Sequence, residues 1–171
     1  MKNQMCMQML IAMFMVSSAS AQTLSVQGQL SLLARIPANS EFGNINSYIL
    51  DGSHRQLKYN FSSGRFDDVF YSVRSTLPSR TIPGGYGVSI VYNSLACIGD
   101  KYSEELSMGV DVNGELVSSG VVNLNGSGLW YLSNNNHYSD IYIGLKSPAI
   151  SNEKTKSCVG RVSVLIQEDV H

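Results

Sequence analysis

The stretch Leu24-Ser25-Val26-Gln27-Gly28-Gln29-Leu30-Ser31-Leu32-Leu33-Ala34 decides how the fold is read. Its larger apolar residues, Leu24, Val26, Leu30 and Leu32, fall on alternate positions. Gly28 and Ala34 sit in the same register, and Ser25, Gln27, Gln29 and Ser31 lie between them. A period of two is the pattern of a β-strand with one face buried. Burying the four larger side chains contributes roughly 6–12 kcal/mol gross, at about 1.5–3 kcal/mol each. That is comparable with the net stability of a whole domain, about 5–15 kcal/mol. Such a strand must pair. It is either the first strand of its own sheet or a strand that fills an incomplete neighbour by β-addition, alternate side chains entering pockets.

Upstream, the chain reads as a secretory leader. Lys2 gives a positive start, a methionine-rich apolar run covers about Met7 to Val16, and Ala19-Ser20-Ala21 is a small-residue cleavage signal that leaves Gln22 as the first mature residue. The apolar run is shorter than the roughly 20 residues a membrane span needs. Cys6 precedes the run rather than marking the cleavage point, so it is not placed as a lipid-modified cysteine. Residues 1–21 are therefore expected to leave, and 171 − 21 gives a mature chain of 150 residues, the size of one domain. Lys2 leaves with them, so the 12 basic and 13 acidic residues become 11 against 13. No basic patch points to nucleic acid. Two cysteines remain, Cys97 and Cys158. An even pair in an oxidising compartment, without C-x-x-C spacing and without a neighbouring histidine, predicts one disulfide rather than a metal or redox site. It would be worth roughly 4 kcal/mol in the chain-entropy account.

Downstream the strand signal repeats. Val69, Tyr71 and Val73 alternate, as do Val88, Ile90 and Tyr92, then Met108, Val110 and Val112. Asn113-Gly114 is a hairpin signal, because both residues tolerate the positive φ of a type I′ turn, and a strand over Val117 to Leu124 is expected to follow it. Leu129 to Leu132 and Ile141 to Leu145 are read as strands flanking a polar loop, Ser133 to Asp140. Val162, Val164 and Ile166 form the last strand. Tyr102 to Leu106 is the one segment with helical character, since Ser103, Glu104 and Glu105 suit a helix start. Many short strands separated by turns such as Asp51-Gly52, Ser63-Gly64 and Asn125-Gly126 predict an all-β sandwich or barrel.

Catalytic signals are weak, and no catalytic, cofactor-binding or metal-binding residue is assigned. The three histidines are His54, His137 and His171, none beside a cysteine. The acidic pairs Asp67-Asp68 and Glu104-Glu105 would point to opposite faces of a strand and make no dyad. Pro83-Gly84-Gly85-Tyr86-Gly87 is glycine-rich but lacks the lysine of a phosphate loop, and reads as the approach to a strand. Trp130, Tyr131, Tyr138 and Tyr142 flank the amide-rich segment. Aromatic rings beside amides can stack on and hydrogen-bond sugars, but they are assigned first to the core and to hairpin structure. Asn134, Asn135, Asn136 and His137 are kept as a candidate receptor-binding loop.

The N-terminal alternation Leu24-Ser25-Val26-Gln27-Gly28-Gln29-Leu30, with a small residue inside it, resembles the donor strand of pilin subunits of the chaperone–usher pathway, most nearly the alpha-fimbrial, colonisation-factor type. Arg35-Ile36-Pro37 and the valine-rich last strand fit the same plan. The resemblance implies an immunoglobulin-like β-sandwich that lacks a strand. Residues 22–36 would be the donor strand and residues 37–171 the sandwich domain. It implies Leu24, Val26, Gly28, Leu30 and Leu32 as donating residues, with Val162, Val164 and Ile166 at the groove edge, pairing with a chaperone. It implies a periplasmic chaperone, an outer-membrane usher and neighbouring subunits as partners, passage through the periplasm to a surface fimbria, and adhesion, with a host receptor as a further partner. Cys97, Cys158 and the polar tail Gln167 to His171 differ from the major subunits of that type and leave a minor or specialised subunit open. The competing function is a stand-alone secreted or periplasmic β-sandwich that binds a glycan or a protein, with the N-terminal strand completing its own sheet.

Overall fold

The computed structural model describes residues 26–35, 45–80, 84–99, 103–118, 120–150 and 156–168. The leader and its cleavage site, Leu24, Pro37, Tyr102 and the end of the tail fall outside them. Among the described residues there are fourteen strands and no helix. In chain order they are β1 Val26–Arg35, β2 Asn46–Ile49, β3 His54–Leu57, β4 Tyr59–Asn60, β5 Arg65–Phe66, β6 Val69–Pro78 and β7 Tyr86–Ile98. There follow β8 Ser103–Leu106, β9 Gly109–Val112, β10 Glu115–Leu116, β11 Val121–Leu124, β12 Tyr131–Ser133, β13 Asn136–Lys146 and β14 Lys156–Glu168.

These build an immunoglobulin-like sandwich. One sheet runs β11-β7-β14-β1-β3, with β8 also on β7; the other runs β10-β9-β13-β6-β2, with β12 also on β13; β4 and β5 form a small separate hairpin. The inward rows predicted from alternation meet between the sheets: Leu30, Leu32, Val88, Val162, Val164 and Ile166 from the first, and Tyr71, Val73, Val110, Val112, Ile141, Ile143 and Leu145 from the second, all buried. Two polar links join the layers. The Tyr86 hydroxyl lies 2.8 Å from Ser139 Oγ, and the Tyr71 hydroxyl donates to the Leu30 carbonyl at 3.4 Å. Burial raises the pKa of both phenols, so each stays neutral. Buried polar groups satisfied in this way cost little.

Asn113-Gly114 forms the expected tight turn between β9 and β10, with φ of 51° and 86°. Four other expectations are corrected. Ser103–Leu106 is strand β8, laid antiparallel on β7 with Leu106 opposite Leu95. Sheet pairing overrides the weak helical propensity of its glutamates. The single strand expected over Val117 to Leu124 is broken. β10 stays in one sheet, the chain turns at Gly120 with φ of 90°, and β11 pairs with β7 in the other sheet. The polar loop Ser133 to Asp140 shrinks to the turn Asn134-Asn135, with φ of 46° and 60°. Ser133 pairs with Asn136, and β13 runs on through the polar stretch with Ser139 as an inward residue. Tyr92 does not continue the inward row of Val88. The register slips between Ser163 and Val164, where Tyr92 pairs with Ser163 but Ile90 with Val164. Val91 is the extra, bulged residue. It reverses the phase of β7, so that Tyr92 is exposed while Leu95 and Cys97 turn inward.

Candidate functional site, the slot filled by the N-terminal strand

β1 occupies an interior position. It pairs in parallel with β14 over its whole length, from Val26 opposite Lys156 to Arg35 opposite Leu165, and antiparallel with β3 from Gly28 opposite Leu57 to Ser31 opposite His54. A further bond from Leu32 N–H to the Ser53 carbonyl, 2.8 Å, extends the second seam. β3 has no other strand partner among the described residues, so β1 alone ties β3 to the sheet, and without β1 the β14 strand would be an edge.

The inward face of β1 fits its slot by alternating small and large residues. Gly28 lies under the Phe66 ring and beside Leu57: a Cβ there would stand 2.7 Å from Phe66 Cζ and 2.9 Å from Leu57 Cβ. On the next inward row the relation is inverted. Leu30 is opposite Gly160 of β14, and a Cβ on Gly160 would stand 2.7 Å from Leu30 Cδ1 and 3.2 Å from Leu95 Cδ1. Leu32 is opposite Val162 and Ala34 opposite Val164. A shift of β1 by two residues along β14 would keep the correct face inward but would put Leu30, or in the other direction Val26, in place of Gly28 against Phe66. The glycines therefore fix the register among the frames that alternation allows.

The structure brings together Gly28, Leu30 and Leu32 with Val162 and Val164. Ile166, in contrast, lies beyond the last β1 pair and meets Val88 of β7. The backbone of Val26 belongs to β1, and Leu24 is outside the described residues. Phe66, Leu57 and Gly160 were not singled out from the sequence. Only Gly160 carried a signal, a glycine within an apolar strand, which marks close approach by another chain segment.

The predicted disulfide is present. Cys97 and Cys158 are directly opposite on β7 and β14, with Cα atoms 4.0 Å apart. It staples two neighbouring strands of one sheet, on the same row as Gly28, and so braces the wall against which β1 packs.

The other candidate residues lie on the opposite sheet. Asn134 and Asn135 are the exposed turn of the β12–β13 hairpin, and Asn136 and His137 are partly covered. Trp130 takes the structural role expected of it. Its indole N–H donates to the Gly84 carbonyl at 2.8 Å, and its ring meets Tyr86 edge-on. Tyr131 and Tyr142 both point outward and are exposed, Tyr131 stacked on Tyr138 across the β12–β13 hairpin. Among the described residues no group of three or more metal-ligating side chains occurs, and no helix is long and apolar enough to cross a membrane.

No protein-family model and no curated protein matches the chain. Among solved structures it is similar to the CooA pilin subunit from enterotoxigenic Escherichia coli, with a TM-score of 0.48 and 12% identity over 74% of this chain and 99% of that one.

Proposed function

We infer that this chain is a structural subunit of a surface fimbria, a minor or specialised one, whose N-terminal strand is exchangeable between copies and whose exposed surface serves adhesion. The observation that carries this is the place of β1: an interior strand, at the very start of the described chain, in a slot shaped for it by Phe66, Leu57 and Gly160. A terminal strand filling such a slot in its own sheet can fill the same slot in a second copy, because every contact it makes is reproduced there. Residues 22–36 act as the donor, and Val162 and Val164 as the wall it pairs with. Before assembly a periplasmic chaperone holds the slot, and an outer-membrane usher delivers the subunit to the fibre on the cell surface. No step of this function needs a catalytic group.

The pairing of β1 within its own chain favours a second reading, a stand-alone secreted sandwich that is complete as a monomer. One experiment separates the two. The mature protein is incubated with a labelled peptide covering Gln22 to Ile36, at neutral pH and in mild denaturant, and followed by size-exclusion chromatography and thermal melting. Uptake of label together with concentration-dependent oligomers supports strand exchange. A monomer that takes up no peptide under either condition, and whose melting temperature the peptide leaves unchanged, refutes it in favour of the stand-alone domain.

A further inference from the structure

The sheet facing away from β1 carries an ordered aromatic surface. Its outward grid follows from the pairings. Tyr48, Arg74 and Asp140 form one row across β2, β6 and β13. Asn46, Thr76, Tyr138 and Tyr131 form the next, and Ser72 and Tyr142 a third. Tyr48, Tyr131 and Tyr142 are 44%, 45% and 60% exposed, an unusual concentration of large rings on one sheet face. Tyr138 and Tyr142 are four residues apart on one strand, about 14 Å at roughly 3.4 Å per residue, a span that several linked pyranose rings can cover.

Tyr131 and Tyr138 are held in place. Arg74 donates to both oxygens of Asp140, at 2.6 and 2.7 Å. The Tyr131 hydroxyl donates to the same carboxylate at 3.0 Å. Tyr131 stacks on Tyr138 at 5.7 Å, and the Arg74 guanidinium lies 5.6 Å from the Tyr138 ring centre. The network leaves Tyr131 and Tyr138 with little rotamer freedom to lose on binding, while Tyr142 stands outside it. It also cancels the charge: the Arg74 fork is taken up by Asp140, and the next charged pair on this face, Lys146 with Asp111 at 3.2 Å, is likewise matched. The hydroxyls of Tyr48, Tyr138 and Tyr142 have no hydrogen-bond partner among the described residues, and Tyr48 and Tyr142 are exposed.

From these we propose that the outer face around Tyr131, Tyr138 and Tyr142 is a binding site for a neutral oligosaccharide. Sugar C–H faces stack on the tyrosine rings, and sugar hydroxyls bond the unpartnered phenols and the Asn46 and Asn136 amides. An anionic glycan is disfavoured because the two cations on this outward grid, Arg74 and Lys146, are already matched by Asp140 and Asp111. This deepens the adhesive part of the function inferred above and is independent of strand exchange, since the face lies on the sheet that does not contain β1.

The test uses the mature protein and a panel of neutral oligosaccharides ending in galactose, glucose, N-acetylglucosamine, mannose or fucose, with sialylated counterparts. Binding is read by shifts of the tyrosine ring resonances on titration. At least one neutral sugar should perturb Tyr131, Tyr138 and Tyr142. Its affinity should fall roughly tenfold or more in Tyr131→Ala and in Tyr142→Ala, the loss of one stacking contact, and stay unchanged in Phe61→Ala, an exposed ring elsewhere. Melting curves of the same variants show whether they remain folded. The proposal is overturned if no neutral sugar in the panel perturbs these rings, if a sialylated sugar binds more tightly than its neutral parent, or if Phe61→Ala weakens binding as much as the tyrosine variants do. Any of these results leaves the peptide-uptake result untouched, so the two readings fail separately.

Discussion

Replacing Gly28 by alanine places a methyl group 2.7 Å from Phe66 Cζ, 2.8 Å from Cε1 and 2.9 Å from Leu57 Cβ. Carbon contacts prefer about 3.5–4.0 Å, so three overlaps must be relieved at once. The Leu57 carbon is fixed to the β3 backbone, and the Phe66 ring is fully buried, so neither swings aside and β1 itself must move. Overpacking of this kind costs typically about 1–3 kcal/mol, and this case belongs in the upper half because no flexible side-chain end yields. Loss of glycine's freedom in the unfolded chain returns about 0.4–1 kcal/mol. The net destabilisation expected is about 1–2 kcal/mol, or roughly 5 °C in Tm for a chain of this size. The assay is urea unfolding of the mature protein, followed by Trp130 fluorescence, in four forms: unchanged, Gly28→Ala, Phe66→Ala and the double variant. Phe66→Ala alone should cost about 3–5 kcal/mol. In its background two of the three overlaps are gone, so Gly28→Ala should cost at least about 1 kcal/mol less than it does alone, the coupling expected of residues in contact. An unchanged stability in Gly28→Ala, or equal costs in both backgrounds, would refute the register in which β1 fills its slot.

Other parts of the structure give independent expectations. Cys97→Ser/Cys158→Ser should lower unfolding free energy by about 4 kcal/mol, measured in urea, and thiol labelling of the denatured, unreduced protein should find neither cysteine free. Tyr86→Phe removes the partner of the buried Ser139 hydroxyl and should cost about 1 kcal/mol; a variant as stable as the parent would remove this link between the sheets. The Arg74 hydrogen bonds hold the Asp140 carboxyl below its ordinary value. A depressed pKa in the folded state means that its stabilisation is present above the unfolded value, near 3.9, and is lost as pH falls through the folded value. Both groups are about a third exposed, so the effect is under about 1 kcal/mol. Between pH 6 and pH 2, Asp140→Asn should lose slightly less stability than the parent, and a steeper loss in the variant would contradict the assignment.

How far the sequence discloses this molecule depends on which contacts are local. Alternation in Leu30 and Leu32, in Tyr71 and Val73, and in Val110 and Val112 marks the inner faces correctly, because each strand runs without interruption against one core. The same rule misplaces Tyr92, because the bulge at Val91 reverses the phase of β7 and alternation alone does not reveal it. It also hides the hairpin of β12 and β13, where tyrosines, asparagines and histidine form a regular ladder whose outward face is aromatic. Asn134-Asn135 is as able to adopt positive φ as Asn113-Gly114, but between polar flanks it does not announce a turn. At the slot, Gly28 is visible as a gap in an apolar row. The reason for the gap, the Phe66 ring, comes from a hairpin outside both main sheets, and nothing near Phe66 points to it. The least legible feature is the partner of β1. A period of two says that one face is buried, but it is the same for parallel and antiparallel neighbours and for a neighbour in the same chain or another. The preference for one frame arises only when Leu30 meets Gly160 and Gly28 meets Phe66. If the strand exchanges between copies as proposed, a second copy presents the same two contacts, and the effective concentration of the tethered strand against that of a neighbour decides between them.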